Sequence, residues 1–315
     1  MAGSPTTVGR IIREDERLNR YLASDAVIEV LASGFTWTEG PVWVGDSLLF
    51  SDIPRNTIFR WQPGGTDNPA GSVSIFMKPS GYTGVAFYGK EPGSNGLTLD
   101  ASGRLTLCEH GDRRISRLTS QGGKLTLVDR FEGRRLNSPN DLVFDTEGNL
   151  YFTDPPYGLP NRFDDHRREL DFCGVYRLAA NGQLTLLTKS IQRPNGIGLS
   201  PDQKTLYVAQ SNPDQPNWTA FPLSAAGTLG PGRQIAEASD LMSEAPGLPD
   251  GMAIHSSGAL FASGPGGVYV MLPSGERLGR IHTGGRVSNC TFDSDESTLY
   301  ITADDQLCRV AVKTN

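Results

Sequence analysis

The chain has 315 residues, with 29 Lys+Arg against 35 Asp+Glu and a net charge of −6. This mildly acidic balance excludes nucleic acid or an anionic membrane surface as the main partner, and no apolar run of about 18 residues is present to span a bilayer as a helix. Glycine (37) and proline (21) together exceed their usual share of roughly 12%, so many turns are expected.

Met1 to Arg20 carries no apolar stretch of the secretory kind, so the cytoplasm is the expected location. Val8–Leu22 is charged, with spaced Ile11, Ile12, Leu18 and Leu22, and predicts a short helix packed outside the main body. This helical extension is expected to occupy residues 1–27, and a single large domain residues 28–315.

From residue 28 onward one segment is written six times. The copies open at Glu39, Asn95, Asn140, Asn195, Asp250 and Asn289. A short apolar run follows each opening residue, then a tight turn, then a second apolar strand; most copies add a third strand, such as Thr57–Trp61 or Gly174–Leu178. Antiparallel strands at this period predict an all-β fold, a six-bladed β-propeller. Closure hides the sheet edges and is expected where Val27–Leu31 meets Leu307–Val312. The third repeat is interrupted by a charged insertion, Tyr157–Phe172, which reads either as a solvated loop or as a lid over a site.

The first strand of each blade lines the central channel, so the six opening residues should gather at one mouth. The second strands return to the same mouth and bring His110 and Tyr157 with them. One Asn-Gly or Asp-Gly is ordinary turn chemistry, but six in phase are not, and turn chemistry does not call for a glutamate at position 39. Oxygens from Glu39, Asp250 and two asparagines suit a hard cation, calcium before magnesium. The ring has no His or Cys, so it serves zinc poorly. The four histidines do not pair at ligand spacing, and His255 falls in a turn on the opposite face. Cys108, Cys173, Cys290 and Cys308 form no CxxC pair and are expected as buried thiols, with Cys290 and Cys308 facing each other across neighbouring strands. No GxSxG, P-loop or GxGxxG motif follows a strand, which disfavours a serine hydrolase, an NTPase or a dehydrogenase.

The segments Thr38-Glu39-Gly40-Pro41, Leu136-Asn137-Ser138-Pro139-Asn140-Asp141, Phe152-Thr153-Asp154-Pro155-Pro156-Tyr157, Arg193-Pro194-Asn195-Gly196 and Leu248-Pro249-Asp250-Gly251 carry a resemblance. They are similar to the family of senescence marker protein, gluconolactonase and luciferin-regenerating enzyme, with the bacterial gluconolactonases nearest in style. The resemblance implies a six-bladed propeller and one divalent cation, usually calcium, with magnesium, manganese or zinc as alternatives. Its ligands would be Glu39, Asn195 and Asp250, with Asn140 as ligand or substrate contact. Asp250 would be the acid/base residue; Asp141 is the competing candidate or a neighbour that orients Asn140. The implied reaction is hydrolysis of a sugar lactone, with Asn95, Asn140, His110, Tyr157 and Asn289 as substrate contacts. The alternatives are hydrolysis of other lactones or phosphotriesters, and a non-catalytic ion-binding propeller. Members of the animal branch carry a substrate-contacting arginine where this chain has Ser138, and Arg113 or Arg114 are the expected substitutes. The chain is expected to act as a monomer or dimer.

Overall fold

The computed structural model describes residues 6–65 and 71–314. Six antiparallel sheets follow one another along the chain. The first contains Thr38–Val44, Ser47–Asp52, Thr57–Gln62 and Ser72–Met77. The second to fifth repeat this meander, opening on Ser94–Leu99, Leu142–Phe144, Pro194–Leu199 and Met252–Ile254. Val287–Phe292, Thr298–Ala303 and Gln306–Ala311 begin the sixth, which Ile28–Ser33 completes. The opening strands touch in order around a ring, and the sixth touches the first. This is a closed six-bladed propeller.

Closure follows the expected pairing. Glu29 lies opposite Arg309 and Ala32 opposite Leu307, so the N-terminal strand becomes the outer strand of the last blade. On the face away from the predicted mouth, first and second strands are joined by short turns with a repeated chemistry. Asp100 Oδ1 accepts from the Ser102 and Arg104 amides, and Asp145 Oδ1 accepts from Glu147 and Asn149. Gly103 and Gly148 close these turns at φ +72° and +81°, where a side chain would be strained. The apolar positions of each blade bury against the next; Leu49 and Ile58 of the first blade pack on Leu105 and Leu107 of the second.

The N-terminal segment departs from the expected helix. Thr7–Val8 pairs with Ile28–Ser33, extending the sixth blade, and Arg10–Arg13 pairs with Arg277–His282, adding a fifth strand to the fifth blade. Only Glu16–Arg20 is helical, as a short 3-10 turn capped by the Asp15 carboxylate. The i, i+1 pair Ile11–Ile12 marks a strand covered on both faces, a pattern indistinguishable from a helix over so few residues. Leu18, Tyr21 and Leu22 then seal the outside of blades five and six, with the Tyr21 ring edge-on to His255 and Phe261.

All four cysteines are free and buried. The pairing expected of Cys290 and Cys308 is corrected: both lie opposite Ile301, on either side of it, so a whole strand separates them. Among the described residues no helix is long and apolar enough to cross a membrane.

Leu18 is fully buried in this outer seal. Leu18→Ala is expected to lower unfolding free energy by about 2–5 kcal/mol, the usual cost of such a cavity. Denaturant titration checks it; a change under about 0.5 kcal/mol would show that the segment does not support the ring.

Candidate active site at the channel mouth

Five of the six repeat-opening residues, Glu39, Asn95, Asn140, Asn195 and Asp250, line one cavity of about 870 Å³ at the channel mouth. Strand irregularities help to place them. The ladder slips between Glu39 and Val42, between Ser94 and Leu97, and between Pro194 and Ile197. Such a bulge re-aims a side chain at a strand end. Hydroxyls on the second strands hold the opening residues from behind: Ser51 Oγ donates to Asn95 O (2.9 Å), and Thr153 Oγ1 to Asn195 O (2.7 Å).

The sixth opening residue is one step out of phase with expectation. Ser263 Oγ reaches Ser288 O, as Ser51 reaches Asn95 O, so Ser288 holds the ring position and Asn289 the next one inward. Asn289 therefore lies outside the cavity and beneath it, with Nδ2 3.5 Å from Asp141 Oδ2 and a further hydrogen bond to Glu39. Asp141, also expected near the chemistry, occupies the same deeper layer; Oδ1 accepts from the Leu142 amide (2.9 Å). The other four positions of this layer are glycines: Gly40, Gly96, Gly196 and Gly251. A Cβ on Gly96 would lie 2.6 Å from Asp141 Oδ1, and one on Gly251 1.9 Å from Asn289 Cγ. The glycines thus leave the channel centre to two side chains. Below them the channel opens again into a cavity of about 630 Å³ on the opposite face.

Electrostatics set the mouth apart. Glu39 is buried and Asp250 half-buried; desolvation raises the proton affinity of both, and the Glu39 charge raises that of Asp250 further. Asp141 adds to both, and its own carboxyl is pushed up to about 6, chiefly by burial. Glu39 Oε2 accepts from the Gly40 amide at 2.7 Å, while no other side chain hydrogen-bonds the Asp250 carboxylate among the described residues. Asn195 Nδ2 donates to Ser211 Oγ (2.8 Å), which leaves its Oδ1 uncommitted. The buried Asn95 Oδ1 has no hydrogen-bond partner. Two carboxylates without a cation, and amide oxygens without donors, fit a hard divalent ion. Among the described residues no group of three or more His, Cys, Asp or Glu gathers, so the donor set is mixed carboxylate and amide.

The walls hold what the sequence did and did not predict. Tyr157 lines the cavity, and Arg162 of the 157–172 insertion lies beside it, so the insertion sits on the expected face. Burial pushes the Tyr157 phenol up, so it stays protonated. His110 is corrected from a cavity contact to a supporting residue: it is fully buried behind Asn95, with Nε2 3.3 Å from Asn95 Nδ2. Burial lowers its pKa to about 3, so the ring is neutral. Arg113 does not replace the arginine absent at Ser138. It does not line the cavity; its buried guanidinium donates from Nε and Nη1 to the carbonyls of Leu136, Asn137 and Arg167, and Arg114 is held by Glu109. Ser138 itself bonds Pro155 O and the Gly158 amide. The cavity's arginines are instead Arg162, Arg193 and Arg286, none of which the repeat pattern singles out.

Residues 37–305 match the family model described as SMP-30/Gluconolactonase/LRE-like region. The chain belongs to this family. It is 41% identical to a gluconolactonase from Zymomonas mobilis over 98% of this chain and 88% of the relative. A pentonolactonase from Haloferax volcanii is 27% identical over 84% of this chain and 80% of its own length. Among solved structures, a gluconolactonase from Xanthomonas campestris superposes with a TM-score of 0.83 at 32% identity, covering 99% of this chain and 98% of that one. The five opening residues that line the mouth, from Glu39 to Asp250, and the deeper Asn289 all fall within the family region.

The glycine layer gives a direct test. Gly251→Ala is expected to displace Asn289 and lower the melting temperature, and Asn289→Ala added to it should restore part of the loss, because the clash partner is gone. Calorimetry of the two single variants and the double variant measures the coupling; strict additivity would disprove the contact.

Proposed function

We propose that the protein is a metal-dependent lactonase that opens a sugar lactone of the gluconolactone type to its aldonic acid. The observation that supports this most is the pair Glu39 and Asp250, one buried and one half-buried carboxylate with no counter-charge, at the mouth of a cavity large enough for a sugar. A structural site would pair such charges with arginine or lysine; this one leaves them open to a ligand. The names of the Zymomonas and Xanthomonas relatives point to the same reaction class.

Glu39, Asn195 and Asp250 would hold one divalent cation, calcium first by its tolerance of mixed oxygen donors, with Asn140 as a further ligand or a substrate contact. When bound, the ion supplies Lewis-acid polarisation of the lactone carbonyl. The chain supplies the rest. Asn95, held from behind by His110 and with Oδ1 uncommitted, accepts a sugar hydroxyl. Tyr157, kept protonated, donates to a second. Asp250 takes a proton from the attacking water at the carboxylate oxygen left free of the ion and returns it to the ring oxygen as the C–O bond breaks. Asp141 and Asn289 act from below: they fix Glu39 and hold its carboxylate in one orientation. Tyr157 and Arg162 bring the 157–172 insertion over the cavity, where it narrows access.

Hydrolysis of D-glucono-1,5-lactone, followed by proton release, is expected to be fast, to fall to the spontaneous rate after exhaustive chelation, and to return with calcium, magnesium or manganese. Full activity in metal-free protein, or no hydrolysis with any ion, would remove this reading.

Asp250→Asn keeps shape and one oxygen but removes the charge and the base, so turnover at saturating metal should fall about 100- to 10,000-fold. Asp141→Asn touches only the support and should cost about 10- to 100-fold, as residues behind metal ligands do. If Asp250→Asn is nearly normal and Asp141→Asn is dead, the base is Asp141.

A further inference from the structure

The inner and outer parts of the cavity carry opposite charge. Glu39 and Asp250 lie at the mouth of the channel, whereas the walls around them carry four cations, Lys90, Arg162, Arg193 and Arg286, against one carboxylate, Glu91. These cations do not serve as counter-charges for the carboxylate pair, whose proton affinity stays raised by desolvation and by neighbouring carboxylates, with no cation among its main influences. Arg162 is spoken for, 3.2 Å from Glu91. The other three have no ion pair or side-chain hydrogen bond among the described residues. Arg193 is the most built-in: it is half-buried, and its guanidinium lies 4.9 Å from the centre of the Phe163 ring, which braces it from the 157–172 insertion. Three uncommitted cations around the rim of one site, each just before the inner strand of a different blade, are out of keeping with a chain of net charge −6.

Resting on the lactonase reading above, we infer that the preferred substrate is an anionic lactone: an aldonolactone bearing a phosphate or carboxylate at the carbon furthest from the ring carbonyl, bound by Lys90, Arg193 and Arg286. With the carbonyl at Glu39 and Asp250, the far end of the sugar points to the wall. A neutral hydroxyl there needs one or two hydrogen bonds; a rim with three uncommitted positive charges favours a terminal anion, to which either guanidinium offers paired donors. The same charges would raise the encounter rate of an anionic substrate in a salt-dependent way.

The test compares kcat/KM of the metal-loaded full chain for D-glucono-1,5-lactone, its 6-phosphate and D-glucaro-1,4-lactone. At least one anionic lactone is expected to exceed the neutral one by tenfold or more at low salt, with the ratio shrinking as potassium chloride is raised. The phosphate and carboxylate arms tell which anion the wall takes. The double variant Lys90→Gln/Arg286→Gln, both at exposed positions, should reduce the anionic-to-neutral ratio at least tenfold, and Arg193→Gln should do so alone. Hydrolysis of the neutral lactone with no anionic preference, or variants that leave the ratio unchanged, would overturn this inference while the lactonase reading stands. Failure on all three lactones would overturn the lactonase reading itself.

Discussion

Neighbouring inner strands approach so closely at the channel mouth that the residue after the ring position cannot carry a side chain at four of six places. A Cβ on Gly40 would meet Asn95 O at 2.2 Å, and one on Gly196 would meet Asp250 O at 2.1 Å. That approach lets main-chain hydrogen bonds pass from blade to blade, from the Gly96 amide to Asn140 O and from Gly251 to Ser288 O. The bonds fix the height at which each opening residue meets the cavity. Glycine here is therefore a packing requirement first, and turn chemistry is secondary.

Carboxylates recur at the same face in two states. Asp52 accepts from the Thr36 and Trp37 amides, Asp154 from Asn137 and Ser138, and Asp304 from Arg286. Each fastens the loop that leads into an inner strand, and each has its acceptor capacity used by backbone donors. Asp154 has its proton affinity raised to about 7 by burial, as catalytic carboxylates do, yet it has donors in place. What separates Glu39 and Asp250 from these fasteners is their shared space without a cation. Raised proton affinity alone would have pointed to the wrong residue.

Much of this architecture was legible in the chain, because the repeat recurs with its phase nearly intact and an inner strand leaves its first residue little choice of position. Ring closure and five of the six mouth residues follow from that regularity. The errors fall where the pattern breaks. The sixth copy has Ser288-Asn289 in place of Asn-Gly, and the hydrogen bonds that Ser288 O accepts from Ser263 and from the Gly251 amide reveal which of the two holds the ring position. Strands Arg10–Arg13 and Thr7–Val8 have too few residues for periodicity to choose between helix and strand. The wall arginines come from loops of different blades, and only the closed ring brings them together. His110 was placed at the correct height, but sequence cannot tell whether a side chain at a strand end faces a cavity or backs another residue.

The last blade is assembled from both ends of the paired chain, since Gln306–Ala311 lies against Ile28–Ser33 and the segment just before that strand runs on to the fifth blade. Five blades can form from contacts local in sequence, whereas the sixth waits for partners nearly the whole chain apart. Such pairing delays the loop-closing step until every other strand exists. During synthesis on a ribosome Arg10–Arg13 would have to remain unpaired until residues 277–282 emerge, and Ile28–Ser33 until residues 306–311 emerge, with Ile28 uncovered meanwhile. The interval of greatest exposure to aggregation thus falls late in ring assembly, while the strand that closes the sixth blade is still missing.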